Sequence, residues 1–173
     1  MIFENRPTLT LELKNFDEPI EIVRWMEELR IQFYVYWFQT VEGIVLKYGE
    51  SGDCQSGEFG ERIYRQAGHI PGWIQSDPWL VGSSGEDMKQ ILKDFEETYN
   101  HKLTKDEVVI HVLPMNRTVT ANTKEICEQT ERTLINDHIS THGIPPIGNK
   151  DHETNRELRK YLNTKILNGF VEW

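Results

Sequence analysis

The alternation of apolar and polar residues predicts strands in three parts of the chain. Residues 8–15 alternate in the way that is typical of a half-buried strand. Residues 33–51 predict a β-hairpin whose turn lies at Glu42 and Gly43. Residues 106–114 predict a third core strand. We expect the hairpin and this strand to form a small, mostly antiparallel, three-stranded core sheet.

Apolar residues at helical spacing predict five helices, the last of which is the richest part of the chain in Arg and Lys. Strands interspersed with helices favour an α+β fold, in which helices flank the core sheet and extensions lie at both termini. The 173 residues fit one domain. The predicted helices lie at residues 18–31, 61–70, 86–101, 120–143 and 153–169.

Composition and charge narrow the class of protein. There is no run of about 18 apolar residues, so no membrane partner is expected, and the N-terminus lacks the pattern of a secretion signal. Cys54 and Cys127 lie far apart in predicted elements, which favours a reducing compartment and a cytoplasmic location. The net charge of −9 argues against a uniformly basic nucleic-acid surface but is compatible with a local basic cleft.

The hairpin contains a lysine that its pattern does not explain. Side chains of a strand alternate between two faces, so Lys47 lies out of phase with Leu46 and Tyr48. If Leu46 and Tyr48 face the core, Lys47 faces a surface or a cleft, with Tyr36 of the first strand as its neighbour. One interpretation is a solvated lysine on an outer sheet face, and the other is a functional cation.

Basic residues lie together on the predicted helix at residues 61–70. Arg62, Arg65, Gln66 and His69 have the spacing of one helical stripe. Guanidinium groups bind phosphate through several donors, and histidine transfers protons near neutral pH. The stripe predicts either a phosphate-binding surface or the ordinary polar face of an amphipathic helix.

A glutamate lies among apolar residues on the predicted helix at residues 120–143. Glu131 shares a stripe with Cys127 and Ile135. Glutamates are seldom buried without a partner, so a carboxylate there requires a metal, an arginine or another cation. The alternative is that Glu131 lies at the edge of the stripe and reaches water.

These elements, taken in order, resemble the GIY-YIG nuclease family over residues 32–150. The segment "YVYWF" resembles its first strand, with Tyr36 in the tyrosine position and Tyr34 in place of the usual glycine. The segments "LKYGES", "GERIYRQ", "VVIHVLPM", "ERTLI" and "PPIGNK" follow as its second strand, arginine helix, third strand, glutamate motif and terminal asparagine. Within a single domain 1–173, residues 1–31 are then an N-terminal strand and helix extension, and residues 151–173 are a C-terminal helix.

The resemblance also gives Lys47 a role. The second tyrosine of the family lies two residues before the glycine, and counting back from Gly49 reaches Lys47 rather than Tyr48. A shift by one residue would send a side chain to the opposite face, so Tyr48 does not substitute for it. Lysine occupies this position in some restriction enzymes of the family. The resemblance therefore favours a functional Lys47.

The resemblance implies a DNA endonuclease that hydrolyses phosphodiester bonds with one Mg²⁺ or Mn²⁺ ion, in restriction, phage DNA degradation or repair. Glu131 would bind the metal, and Arg62, with Arg65 as a second candidate, would hold the phosphate. Tyr36 would act as the general base or position the water, with Lys47 as the alternative base. A bacterial or phage-infected cell is the expected setting.

The remaining site residues and partners also follow from the resemblance. His69 is a secondary candidate for proton transfer, and Asn149 would complete the site by hydrogen bonding. Trp73 and Trp79 either stack on bases or pack in the core. The alternative function is a non-catalytic domain that binds nucleic acid or a partner. We expect salt-sensitive DNA binding, increased in a homodimer or higher homo-oligomer, through Arg62, Arg65, Lys150, Arg156, Arg159 and Lys160.

Overall fold

The computed structural model describes residues 7–52, 59–74, 87–115 and 123–149, which form an α+β fold. The strands are β1 (Leu9–Glu12), β2 (Phe33–Thr40), β3 (Val45–Ser51) and β4 (Val108–Met115). The helices are α1 (Ile20–Glu28), α2 (Glu61–Ala67), α3 (Asp87–Tyr99) and α4 (Thr123–His142). Short 3₁₀ turns lie at Leu13–Asn15, Lys105–Glu107 and Ile147–Asn149.

The sheet has four antiparallel strands in the order β1-β4-β2-β3, so the α+β class is confirmed and the expected number of three strands is wrong. The additional strand is β1, which the sequence pattern assigned to an N-terminal extension. Leu9 lies opposite Val112 and Glu12 lies opposite Val109. The pattern showed that β1 is half buried, but alternation within a strand does not identify its partner in the sheet.

Helices cover both faces of the sheet. Tyr36 and Phe38 of β2 belong to the main core, which α1, α2 and α3 complete. Phe33 and Val35 point the other way and pack against Cys127 of α4. Because both faces of β2 are covered, its first residues form an almost continuous apolar run rather than an alternating one.

An extra residue in β3 places Leu46 and Lys47 on the same face of the sheet. Phe38 pairs with Lys47 and Gln39 pairs with Val45, so Leu46 has no partner on β2. Such a bulge interrupts the strict alternation, because two residues of one strand then oppose a single residue of the other. Leu46 is fully buried in the same core as Phe38, and Lys47 lies on the same face. The expectation that Leu46 and Lys47 face opposite sides is therefore corrected.

The indole of Trp73 packs against the core and donates from Nε1 to the carbonyl of Ala67 at 2.9 Å, which confirms its core interpretation. Trp79, the C-terminal helix 151–173 and four predicted DNA contacts lie outside the described residues. Within the described ranges, no helix combines the length and the apolar character that crossing a membrane requires. The four contacts are Lys150, Arg156, Arg159 and Lys160.

Candidate active site

A cleft of about 350 Å³ lies at the β3 edge of the sheet and contains five of the seven predicted catalytic residues. Because β3 is the last strand, α2 on one face and α4 on the other both reach this edge. Side chains from opposite faces therefore meet there. The lining residues are Tyr36, Lys47, Tyr48, Gly49, Glu50, Arg62, Gln66, Glu131, Gly148 and Asn149.

A glycine allows Tyr36 to reach the cleft from the core face of β2. Gly49 lies directly opposite Tyr36 in the β2–β3 pairing. A Cβ atom added to Gly49 would lie 2.4 Å from both Cζ and the hydroxyl oxygen of Tyr36, far inside van der Waals contact. The phenol therefore occupies the space that any other side chain at position 49 would fill.

The Tyr36 phenol is buried and neutral. Burial raises its pKa far above the ordinary value, and Tyr34 and the charge of Glu131 raise it further, against the opposing effect of Arg62. Nε2 of Gln66 donates a hydrogen bond to the phenol oxygen at 2.8 Å. A phenol oxygen that accepts from an amide keeps its own proton for donation elsewhere. This geometry favours Tyr36 as a donor that positions water, rather than as a base.

Lys47 is held at the rim of the cleft by Asp87. Its Nζ lies 2.5 Å from Oδ2 of Asp87, the first residue of α3, where the helix dipole favours a carboxylate. The lysine side chain is 16% exposed and the aspartate side chain 51%. The sequence analysis did not predict this pair, because the two residues belong to elements that only tertiary packing brings together.

Arg62 enters the cleft from α2 and is held by β3. Its Nη1 donates to the backbone carbonyl of Glu50 at 3.1 Å and lies 3.7 Å from Glu50 Oε1. Half of the Arg62 side chain is exposed, so other donors of the guanidinium remain accessible. The sequence analysis did not select Glu50. Its position directly after Gly49, in the segment that resembles the second strand of the family, could have indicated that it lies at the site.

The structure separates the two candidate arginines. Arg65 forms an ion pair with Glu61 one turn earlier on α2 and is not among the residues that line the cleft. His69 follows the end of α2 and also lies outside the lining. Gln66, which shares the helical stripe with Arg62, lines the cleft.

Glu131 extends from α4 towards the same edge. Burial raises the pKa of Glu131 to about 7, and the neighbouring charges of Glu50 and Glu128 act in the same direction. Lys47 opposes them by lowering it. The anionic form of Glu131 is therefore unfavourable in the cleft without an additional cation.

The donor set of the cleft fits a hard divalent ion. Magnesium uses one or two carboxylates and keeps several waters, and the Glu131 carboxylate in a half-buried cleft meets that need. A structural zinc site needs four ligands, and the described ranges contain no group of three His, Cys, Asp or Glu side chains able to hold a metal. A second cavity of about 290 Å³, beside His138 and His142, contains none of the predicted site residues.

Asn149 lines the cleft and closes the edge of the sheet there. Its Oδ1 accepts from the backbone N–H of Tyr48 at 2.7 Å, and its Nδ2 donates to the Tyr48 carbonyl at 3.0 Å. The side-chain amide thus replaces the strand that β3 lacks on its outer side. Asn149 positions the peptide that precedes Gly49.

Comparison with known proteins does not identify a family to which the chain belongs. No protein-family model, curated protein or solved structure matches the chain. The resemblance to GIY-YIG nucleases therefore stays a prediction from the residues themselves.

Proposed function

We propose that the protein is a DNA endonuclease of the GIY-YIG type, which hydrolyses phosphodiester bonds with one Mg²⁺ or Mn²⁺ ion. One observation carries this proposal. A phenol, an ammonium, a guanidinium and a carboxylate, from Tyr36, Lys47, Arg62 and Glu131, line one cleft. Their combination meets the requirements of phosphodiester hydrolysis, which are charge neutralisation, a positioned water and a stabilised leaving oxygen.

Arg62 and Lys47 are assigned to the phosphate. A guanidinium offers several donors in one plane to the non-bridging oxygens, whereas an ammonium acts as a point charge. Glu50 holds the guanidinium, and Asp87 holds the ammonium, before any substrate is present. This preorganisation lowers the cost of ordering the two long side chains when the phosphate enters.

Tyr36 is assigned to the attacking water. Its raised pKa keeps the phenol protonated near neutral pH, and the hydrogen bond from Gln66 leaves the phenol proton available to an acceptor in the cleft. Tyr36 therefore orients the water by donating to it. Gln66 takes part indirectly, because it holds the phenol oxygen in place.

Glu131 is assigned to the metal, because it is the carboxylate that α4 contributes to the cleft, and carboxylate oxygens are hard ligands. The bound ion supplies Lewis acidity, which lowers the pKa of a bound water and stabilises charge on the phosphate and the leaving oxygen. Glu131 itself holds and orients the ion relative to the phosphate that Arg62 binds.

The decisive experiment is nicking of supercoiled plasmid by the purified protein with Mg²⁺, with Mn²⁺ or with EDTA. We expect metal-dependent cleavage, which the isosteric substitution Glu131→Gln lowers by about 10³-fold because the metal ligand is lost. The matched control is Glu128→Gln, which removes a charge from the preceding turn of α4 but no group from the cleft. Cleavage that persists in EDTA or in Glu131→Gln would refute the proposal.

DNA binding is proposed to depend on phosphate contacts by α2 and by basic residues nearer the C-terminus. Arg62 and Arg65 are partly exposed on neighbouring turns of α2. Neutralising phosphates makes affinity fall steeply with salt, and a homodimer would double the contacts. DNA affinity that is unchanged between low and physiological salt would contradict this part of the proposal.

One observation favours a second candidate, a non-catalytic domain that binds nucleic acid or a protein partner. The chain carries a net charge of −9, and both cations of the cleft already have carboxylate partners. DNA bound without cleavage by the wild-type protein, at any concentration of Mg²⁺ or Mn²⁺, would support this second function over the first.

A further inference from the structure

A second carboxylate shares the cleft with Glu131. Glu50 lines the same cleft as Glu131. Two carboxylates that share one cleft repel each other, and a cation bound between them would offset that repulsion. Glu50 directly follows Gly49, so the strand that carries Lys47 also brings this second acid to the edge.

The carboxylate of Glu50 is oriented but not saturated. Oε2 accepts a hydrogen bond from the backbone N–H of Gly52 at 2.7 Å, which fixes the direction of the group. Oε1 lies 3.7 Å from the nearest Arg62 nitrogen, which is beyond hydrogen-bond distance. Each carboxylate oxygen has two lone pairs, so Glu50 retains acceptor capacity for a further ligand.

An amide oxygen in the same cleft wall also lacks a donor. Gln66 is 8% exposed and lines the cleft, where its nitrogen donates to the Tyr36 phenol. Its buried Oε1 has no hydrogen-bond partner among the described residues. A buried acceptor without a donor is unfavourable, because it has lost its hydrogen bonds to water and gained none in the protein. The cleft therefore combines two acids with an amide oxygen whose partner is missing.

We propose that Glu50 and Glu131 together bind one divalent cation of the Mg²⁺ or Mn²⁺ class, and that Gln66 accepts a hydrogen bond from a water on that cation. The inference rests on the proposed function for its choice of cation and extends it, because the nuclease assignment requires only Glu131. The donor set consists of oxygens, which hard divalent ions prefer, and leaves room for the waters that such ions retain.

The test measures Mn²⁺ binding to the full-length protein without DNA, by calorimetry and by electron paramagnetic resonance of free Mn²⁺. We expect one bound ion in the wild-type protein. Glu50→Gln and Glu131→Gln should each weaken binding by at least about tenfold, because each removes one charged oxygen ligand. Glu50→Gln keeps an oxygen that can accept from Gly52, so its fold should be retained, which circular dichroism checks.

The matched control separates ligation from charge. Glu128 lies one turn before Glu131 on α4 and carries the same charge, but it does not line the cleft. Glu128→Gln should therefore bind Mn²⁺ almost as the wild type does. If Glu128→Gln and Glu50→Gln weaken Mn²⁺ binding equally, Glu50 acts only through its charge and is not a ligand, which would overturn the proposal. Wild-type affinity in Glu50→Gln, or no stoichiometric binding by the wild type, would also overturn it.

A second measurement needs no variant. In the wild-type protein, substoichiometric Mn²⁺ should broaden the NMR signals of the Gly52 backbone amide and the Gln66 side-chain amide, because both groups adjoin the proposed ligands. If the protein binds the added Mn²⁺ but both signals stay sharp, the ion binds at another place and the proposed site is wrong.

The inference and the nuclease proposal fail in different ways. Metal-dependent DNA cleavage that requires Glu131 but not Glu50 would retain the nuclease and remove the two-carboxylate site. Mn²⁺ binding that requires both acids, in a protein that cuts no DNA, would retain the site and remove the nuclease.

Discussion

Two lysines of this protein are largely buried, and their surroundings differ in kind. Lys105 is 5% exposed, and its ammonium donates to the carbonyls of Phe16 at 2.6 Å and Leu13 at 3.1 Å. It also lies 5.1 Å from the centroid of the Trp73 ring. Lys47 at the opposite edge of the sheet pairs, among the described residues, with the half-exposed Asp87.

The difference indicates that Lys105 has a structural role, whereas the ammonium of Lys47 can bind a ligand. Lys105 donates to the backbone carbonyls of Leu13, in a 3₁₀ turn, and of Phe16, at its C-cap, and these carbonyls cannot be exchanged for a ligand. The carboxylate of Asp106, whose side chain is 69% exposed, lies 3.4 Å from the same ammonium. The partner of Lys47 is a flexible, partly solvated side chain, so an incoming anion can compete for the ammonium. Burial alone therefore does not distinguish the two roles, whereas the type of partner does.

Replacing each lysine by methionine should change the stability of the protein by very different amounts. Lys105→Met should lower the free energy of unfolding by about 3 kcal/mol, because the carbonyls of Leu13 and Phe16 then lose their buried donor. Lys47→Met should change it by less than about 1 kcal/mol, because Asp87 is hydrated when unpaired. Urea denaturation at pH 7 measures both, with the exposed Lys102→Met as the control.

Equal losses in Lys105→Met and Lys47→Met would show that both lysines are structural. The DNA-nicking rates of the same two variants should differ in the opposite order to their stabilities. Lys47→Met should lose activity while it stays folded. Lys105→Met should keep its specific activity at temperatures where it remains folded.

A side chain at position 49 of β3 would collide with the Tyr36 phenol in the cleft. Gly49→Ala should destabilise the protein by about 2–3 kcal/mol, because the new Cβ overlaps the Tyr36 ring. In a Tyr36→Leu background, the same change should cost less than about 1 kcal/mol, since the phenol is gone. Thermal unfolding of the four proteins in this double-mutant cycle measures the coupling. An equal cost in both backgrounds would show that Gly49 is required for its backbone conformation alone.

The pKa of Glu131 predicts a pH dependence of stability that originates in the cleft. The pKa of Glu131 is raised to about 7 in the folded protein, against an ordinary value of 4.5. Between these values the folded state binds more protons than the unfolded state, so stability falls as pH rises and stays lower above pH 7. Because water screens a charge in an open cleft, we expect in EDTA a loss of about 1–2 kcal/mol across this window, about half of what the full pKa shift corresponds to, and Glu131→Gln should not show it. Urea denaturation at several pH values checks the difference, and parallel curves for the two proteins would contradict it.

The sequence pattern predicted elements better than it predicted partners. Periodicity located the hairpin, α3 and α4, because apolar spacing within one element depends only on neighbouring residues. It missed the pairing of β1 with β4, which depends on residues about one hundred positions away. In the cleft, the order of motifs selected Tyr36, Lys47 and Glu131, all of which line it. The choice between Arg62 and Arg65 required the structure, because one helical stripe carries both.

Local spacing and side-chain identity predict the succession of strands and helices and the types of functional group available at the β3 edge. Which of these groups become partners was visible only once the separate elements had packed together. A single extra residue at Leu46 resets the alternation of β3, Asp87 engages Lys47 from α3, and Glu50 and Gln66 join the cleft. The physical reason is that these contacts follow from how separate elements pack at an open sheet edge, and no periodicity within one element encodes that arrangement.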